Sequence, residues 1–177
     1  MLLFLLAGFR RGEVAGLEWK DIDFDNDSVK ITKTVQRLKS DPAVEGKTEL
    51  MVSSPKSRSS HRIIPLPKFV MEYLYEFYTL LNNKEFFLIG GKALPCEPRT
   101  LQYAYKRILK KCEIRYLNFH CLRHTFATRC VTIGWDVKTL SEILGHSDIK
   151  ITMDYYFHSS FEYKKSQMNK LFLLSQN

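Results

Sequence analysis

The chain has 177 residues, 45% of them hydrophobic, which is enough for one domain with a real core and excludes disordered and collagen-like classes. Lys and Arg number 27 against 19 Asp and Glu, and the resulting net charge of +8 favours an acidic partner, of which nucleic acid is the commonest. The four cysteines, Cys96, Cys112, Cys121 and Cys130, form no CxxC pair and read as reduced thiols of a cytoplasmic protein, not as a disulfide scaffold.

The opening MLLFLLAGF is apolar but short, and Arg10, Arg11 and Glu13 follow at once, so it reads as a core helix ending near Gly8 and neither spans a membrane nor forms a signal peptide. The chain is expected to enter that helix partway, as one cut from a larger protein would. RGEVAGLEW predicts a short second helix with Val14, Leu17 and Trp19 on one side and Arg10 at its N-terminus. DIDFDND carries turn chemistry. SVKITKTVQ alternates, with Val29, Ile31, Lys33 and Val35 on one strand face. LKSDPAVEGK is a loop, and TELMVSS and SHRIIPLP read as two strands joined around residues 55–60. These three strands are expected to form one small antiparallel sheet.

From Lys68 the pattern turns helical. KFVMEYLYEFYTLLNN places Val70, Leu74, Phe77 and Leu81 at helical spacing. FFLIGGKALPCEP is extended or loop, and TLQYAYKRILKKCEI is a basic amphipathic helix. NFHCLRHTFATRCVTIG and DVKTLSEILGH are helices closed by Gly134 and Gly145, and SDIKITMDYYFH is a further short helix with Ser147 or Asp148 as its cap. The basic tail carries Met168, Leu171, Phe172 and Leu174 as an apolar stripe. No repeat is visible, so residues 1–177 are expected to form a single domain of the α+β class, mainly α.

Chemistry concentrates at a few positions. His120 and Arg123 are three apart and share a helix face, an arrangement suited to a phosphate: the guanidinium grips two oxygens and the imidazole donates or moves a proton. A zinc protease would need glutamate directly after His120, where this chain has Cys121, so the His120–His124 spacing is not read as a metal site. Arg10 stands ahead of a helix, Lys56 lies among small hydroxylated residues at a sheet turn, His146 follows Gly145, and a tyrosine comes one short helix later. Each has a bland explanation alone. Jointly they supply a phosphate clamp, proton donors and a nucleophile. The chain contains no GxxxxGK[ST] loop, no GxSxG elbow and no acidic cluster suited to two magnesium ions.

Four stretches, AGFRRGEVAGLEWKDIDF, PKSRSSHRIIPLP, HCLRHTFAT and LGHSDIKITMDYYFH, occur in the order and spacing of one family. The chain resembles the catalytic domain of the tyrosine recombinases, in the phage and transposon integrase branch. The resemblance implies helices around a small three-stranded sheet, duplex DNA as partner, and a bacterial or phage-encoded cytoplasmic protein. It implies no metal or other cofactor, because the phosphoester energy is kept in a 3′-phosphotyrosine link. Arg10 and Arg123 match the clamp arginines, with Arg11 the weaker alternative for the first. Glu13 matches the carboxylate that orients the clamp, Lys56 the lysine that protonates the leaving 5′-oxygen, His120 the proton-handling position and His146 the late histidine on a non-bridging oxygen.

The nucleophile has two candidates by count, Tyr155 and Tyr156, nine and ten residues after His146. The family register of Thr152, Met153, Asp154 and His158 favours Tyr156, and adjacent helical residues lie about 100° apart, so both cannot aim at one phosphate. The family's N-terminal DNA-binding domain is expected to be missing. The tail is expected either to contact a neighbouring protomer on DNA or to close the chain's own core. Two further readings share these parts, a type IB topoisomerase and a non-catalytic DNA-binding remnant.

Overall fold

The apolar opening folds as expected. In the computed structural model, which describes residues 1–39, 48–54, 58–81, 85–156, 164–165 and 168–169, α1 (Leu2–Ala7) buries Leu3, Phe4 and Ala7. It ends at Gly8, whose φ of 61° is the left-handed conformation that an L side chain resists. α2 (Arg11–Gly16) follows, and Val14 and Ala15 are buried. Leu17 and Trp19 are buried as predicted but lie beyond the helix, Leu17 in extended backbone and Trp19 in a 3₁₀ turn over Trp19–Asp21.

The sheet differs from the expectation in its membership. The three-stranded antiparallel sheet has the order β1 (Ile22–Asp23), β2 (Ser28–Ile31), β5 (Arg62–Pro65), with Val29 opposite both Ile22 and Ile64. β3 (Thr34–Lys39) and β4 (Thr48–Ser53) form a separate two-stranded hairpin, with Val35 opposite Val52. SVKITKTVQ is therefore two strands, and the break falls at Thr32 and Lys33. Val29, Ile31 and Val35 are buried as the alternation requires. Lys33 stands at the position where that alternation fails, its ammonium 2.6 Å from Glu18 and 3.5 Å from Asp21. A charge in that inward row needs acidic partners, and the chain leaves the sheet where it finds them. DIDFDND is a turn only in part. Ile22 and Asp23 pair with β2, and the Asp23 carboxylate accepts the backbone N–H groups of Asp25 and Asn26 to close the turn.

The helices follow the predicted order. α3 (Lys68–Thr79) buries Val70, Met71 and Leu74, but Phe77 is 48% exposed and packs edge-on against Tyr73 instead of entering the core. α4 (Pro98–Lys111) turns Leu101, Tyr105 and Leu109 inward and its basic residues outward. Tyr105 and Phe4 both meet the edge of Phe119, at ring-centroid distances of 5.2 and 4.7 Å. α5 (Cys121–Thr132) is followed by α6 (Val137–Leu144), which Asp136 caps at the Thr139 N–H. Gly145 ends α6 in the left-handed conformation, and α7 (Ile149–Tyr156) starts after Asp148, whose carboxylate accepts the Lys150 N–H.

The large core gathers α1–α4 and the three-stranded sheet. A smaller one, Phe126, Ala127, Cys130, Leu140 and Leu144, lies between α5 and α6, and the Tyr156 ring packs on it. Met168 is 65% exposed, while Leu171, Phe172 and Leu174 lie outside the described residues. Among the described residues no helix is long and apolar enough to cross a membrane.

Gly8 joins the two cores. A Cβ there would stand 2.5 Å from Phe126 Cδ1 and 2.9 Å from Leu144 Cδ2. Gly8→Ala is therefore expected to destabilise the fold by about 2 kcal/mol or more in urea unfolding, from left-handed strain and overpacking together.

Candidate active site

Glu13 is 2% exposed and lies one turn into α2. A carboxylate this deep requires partners. One oxygen accepts the Arg10 backbone N–H at 2.7 Å, the carboxylate half of a helix capping box. The other takes the Arg10 guanidinium at 3.0 Å. Arg62, from β5, meets both oxygens in a two-pronged pair at 2.9 and 3.0 Å. Burial alone would raise the Glu13 pKa. The hydrogen bonds and charges of Arg62 and Arg10 outweigh it and hold the carboxyl below its usual range.

The C-terminus of α6 completes the frame. Its last carbonyls have no partner within the helix and carry the negative end of the helix dipole. Three consecutive ones are each taken by a different arginine: Ile143 O by Arg62 Nε at 2.7 Å, Leu144 O by Arg123 at 2.6 Å, and Gly145 O by Arg10 at 2.9 Å. Arg123, 3% exposed on α5, also donates to Gly8 O at 2.6 Å, so the left-handed ends of α1 and α6 share it. Three guanidiniums thus meet at the end of α6, and two of them, Arg10 and Arg62, hold the Glu13 carboxylate. Burial and the charges of Arg10 and Arg62 lower the Arg123 pKa to about 9, with Glu13 opposing.

The histidines feel this excess of positive charge. Burial, with Arg123, Arg10 and Arg62, lowers the His146 pKa to about 4, and burial with His124, Arg123 and Arg10 lowers that of His120. Both rings are neutral at neutral pH and can donate one N–H. His146 Nδ1 is 2.8 Å from the hydroxyl of fully buried Thr152, which fixes the ring and leaves Nε2 as its other polar atom. His120 and Arg123, with Arg11, Asn118, Phe9 and Phe119, line a cleft of about 210 Å³. Beside it, a second groove of about 740 Å³ runs past Arg10, Arg11, Thr34, Gln36, Arg37, Arg99 and Gln102.

Tyr155 and Tyr156 part company on α7. Tyr155 is 67% exposed. Tyr156 is half-buried on the smaller core, and its hydroxyl is hydrogen-bonded to His124 Nδ1 at 2.5 Å. Burial raises its pKa, and the nearby Arg123 charge opposes that rise. The structure therefore brings Arg10, Glu13, His120, Arg123, His146 and Tyr156 to one region. Lys56 lies outside the described residues. Among the described residues no three His, Cys, Asp or Glu side chains gather as metal ligands.

The sequence model of the phage integrase family matches residues 1–163. The chain belongs to the phage integrase family. It is 33% identical over 174 residues to a XerC-like tyrosine recombinase of Caldanaerobacter subterraneus subsp. tengcongensis, covering 88% of this chain and 44% of that protein. It is 27% identical to the transposase of transposon Tn916 from Enterococcus faecalis, covering 97% of this chain and 44% of that protein. The chain thus spans less than half the length of these curated relatives. Among solved structures, it matches the Tn1549 transposon integrase in complex with a circular intermediate DNA with a TM-score of 0.75 at 26% identity, over 96% of this chain and 57% of that one. The α+β, mainly helical architecture is that of integrase-family catalytic domains.

Arg62, and the hydrogen bonds that Thr152 and His124 make, escaped the sequence reading. Arg62 alternates with Ile64 on β5, so a period-two reading would have put a cation in the core and demanded an acid for it. Thr152 lies one helical turn before Tyr156, a spacing that marks a shared face. His124 was weighed only as a metal ligand.

Two outcomes follow from this electrostatics. Glu13→Gln leaves two guanidiniums without their anion and is expected to cost about 3–5 kcal/mol, while Glu13→Leu with Arg62→Met recovers most of the loss in urea unfolding. Unfolded, His146 titrates near its ordinary 6.5, and folded near 4, so the unfolded chain binds more protons between these values. Stability should fall as pH drops from 6.5 to 4, with a shallower slope in His146→Gln, as read from urea midpoints across that range.

Proposed function

We propose that this chain is the catalytic domain of a site-specific DNA recombinase of a mobile element or phage, acting on duplex DNA through a covalent tyrosine intermediate. The observation that carries the reading is the meeting of Arg10, Arg62 and Arg123 at the end of α6, two of them on the Glu13 carboxylate, beside two neutral histidines and the Tyr156 hydroxyl. Such a frame favours an anion over a neutral substrate. The relatives point the same way: one solved neighbour is an integrase bound to a circular intermediate DNA, and curated ones are named recombinase and transposase.

In this mechanism Arg10 and Arg123 hold the non-bridging oxygens of the scissile phosphate and offset the charge that grows there. His146 donates its N–H to one of those oxygens, and His120 handles protons on the cleft side. Glu13 and Arg62 position the clamp. The Tyr156 oxygen attacks phosphorus, forming the 3′-phosphotyrosine bond as the bond to the 5′-oxygen breaks. Lys56 protonates that leaving oxygen. A 5′-hydroxyl from another strand reverses the step, so strand exchange needs no hydrolysis. The groove past Arg11, Arg37 and Arg99 carries phosphates on either side of the cleavage point. The tail residues Met168, Leu171, Phe172 and Leu174 are assigned to contact between protomers on DNA.

A nicked duplex that traps the cleaved state tests this reading. The wild type and Tyr155→Phe are expected to give a covalent adduct on a denaturing gel, and Tyr156→Phe none. Adduct retained by Tyr156→Phe and lost by Tyr155→Phe would overturn the assignment of the nucleophile. Binding to the same duplex should weaken steeply with salt, because phosphate contacts release counterions. A salt-independent affinity would contradict the phosphate clamp.

A further inference from the structure

The two histidines of HCLRH have separate surroundings. His120, next to Asn118 and Arg123, lines the cleft. His124 lies one turn further along α5, its ring edge-to-face with that of His120 at a centroid distance of 4.9 Å. It points to α7, where its Nδ1 is 2.5 Å from the Tyr156 hydroxyl. Nδ1 is therefore the acceptor and the phenol the donor when the ring is neutral with its proton on Nε2. Tyr155 is near the ring as well, with centroids 6.3 Å apart, but its exposed side chain makes no such bond.

A phenol attacks phosphorus only as its proton leaves, and the proton needs an acceptor in contact with the oxygen. His120 and His146 are placed toward the clamp, and His146 Nδ1 is engaged by Thr152. The guanidinium of Arg123, one residue before His124, favours the developing phenolate without taking its proton. The burial that raises the Tyr156 pKa makes an external acceptor more necessary.

We propose that His124 is a catalytic residue of the reaction assigned above, the general base that takes the Tyr156 proton at Nδ1 during cleavage and returns it during rejoining. In cleavage the bond from Tyr156 oxygen to phosphorus forms and the bond to the 5′-oxygen breaks. The phenolic proton moves to His124, and the 5′-oxygen takes a proton from Lys56. Rejoining runs each transfer backwards, so protons and bonds balance without a further reactant. The charged and titratable groups facing His124 are His120 from α5 and Tyr155 and Tyr156 from α7. An incoming phosphate supplies the negative charge that offsets an imidazolium among them.

This inference rests on the recombinase reading, and its test separates the two. Single-turnover adduct formation is measured for the wild type, for His124→Gln, and for both with 3,5-difluorotyrosine at position 156. His124→Gln is expected to slow cleavage by roughly 10²-fold or more, the usual worth of a positioned base. The more acidic fluorinated phenol should restore most of that loss, which it could not do for a merely misfolded protein. Equal losses with both phenols, or a His124→Gln rate matching the wild type, would overturn the base role and leave the function standing. No adduct from the wild type on any substrate would remove the function and the base role together. Without DNA, the ¹⁵N resonance of His124 Nδ1 should shift in Tyr156→Phe; an unchanged resonance would refute the hydrogen bond on which the inference stands.

Discussion

Three backbone carbonyls at the end of α6 cannot be satisfied within their helix, and each is bound by an arginine from a different part of the chain. Arg10 comes from the start of α2, Arg62 from β5 and Arg123 from α5. Like charges gathered this closely repel one another, and the helix dipole and the buried Glu13 carboxylate offset that repulsion. This arginine frame is thus built from a helix end that must be satisfied and a carboxylate that must be paired. Gly145 has no side chain because one would collide with Arg62, its Cβ falling 2.8 Å from the guanidinium.

That frame sets the chemistry of its neighbours. An imidazole next to several guanidiniums loses its proton readily, so His146 and His120 are neutral hydrogen-bond donors rather than cations. In the proposed reaction a bound phosphate would reverse the sign of this influence. The same positive field lowers the cost of a phenolate at Tyr156, against the burial that raises it. Fold stability and site chemistry are therefore opposed in this region. Under the proposed function, the charges that destabilise the free protein are those that a bound anion would offset.

Much of this was legible in the sequence because it rests on local rules. Gly8 and Gly145 closed helices where left-handed backbone was needed, and the alternation of Val29, Ile31 and Val35 marked buried rows. Site positions legible from the four motifs, Arg10, Glu13, His120, Arg123, His146 and Tyr156, fall in one region. The division of the strands was not legible, since only the pairing of Lys33 with Glu18 and Asp21 shows where the ladder breaks. Phe77 satisfied the helical spacing but sits on an α3 flank that meets other aromatic rings and solvent. Arg62 was missed because its partner Glu13 is 49 residues away in sequence. The carbonyl frame was invisible for a more general reason: no side-chain pattern encodes which backbone oxygens a guanidinium will reach.

The tyrosine pair shows how helix geometry turns a composition feature into a distinction. Neighbouring residues on α7 point about 100° apart, so a face that buries one exposes the other. Thr152 is fully buried and one turn before Tyr156, and its hydroxyl meets His146. With Thr152 turned inward, Tyr156 falls on the same face over α5, where His124 receives its hydroxyl, and Tyr155 is left to solvent. His146 therefore lies beside the arginines and is tied through Thr152 to the helix face that carries Tyr156. A residue at 152 without a hydroxyl but of similar volume would keep the packing and lose this link between His146 and the face of α7 that carries Tyr156.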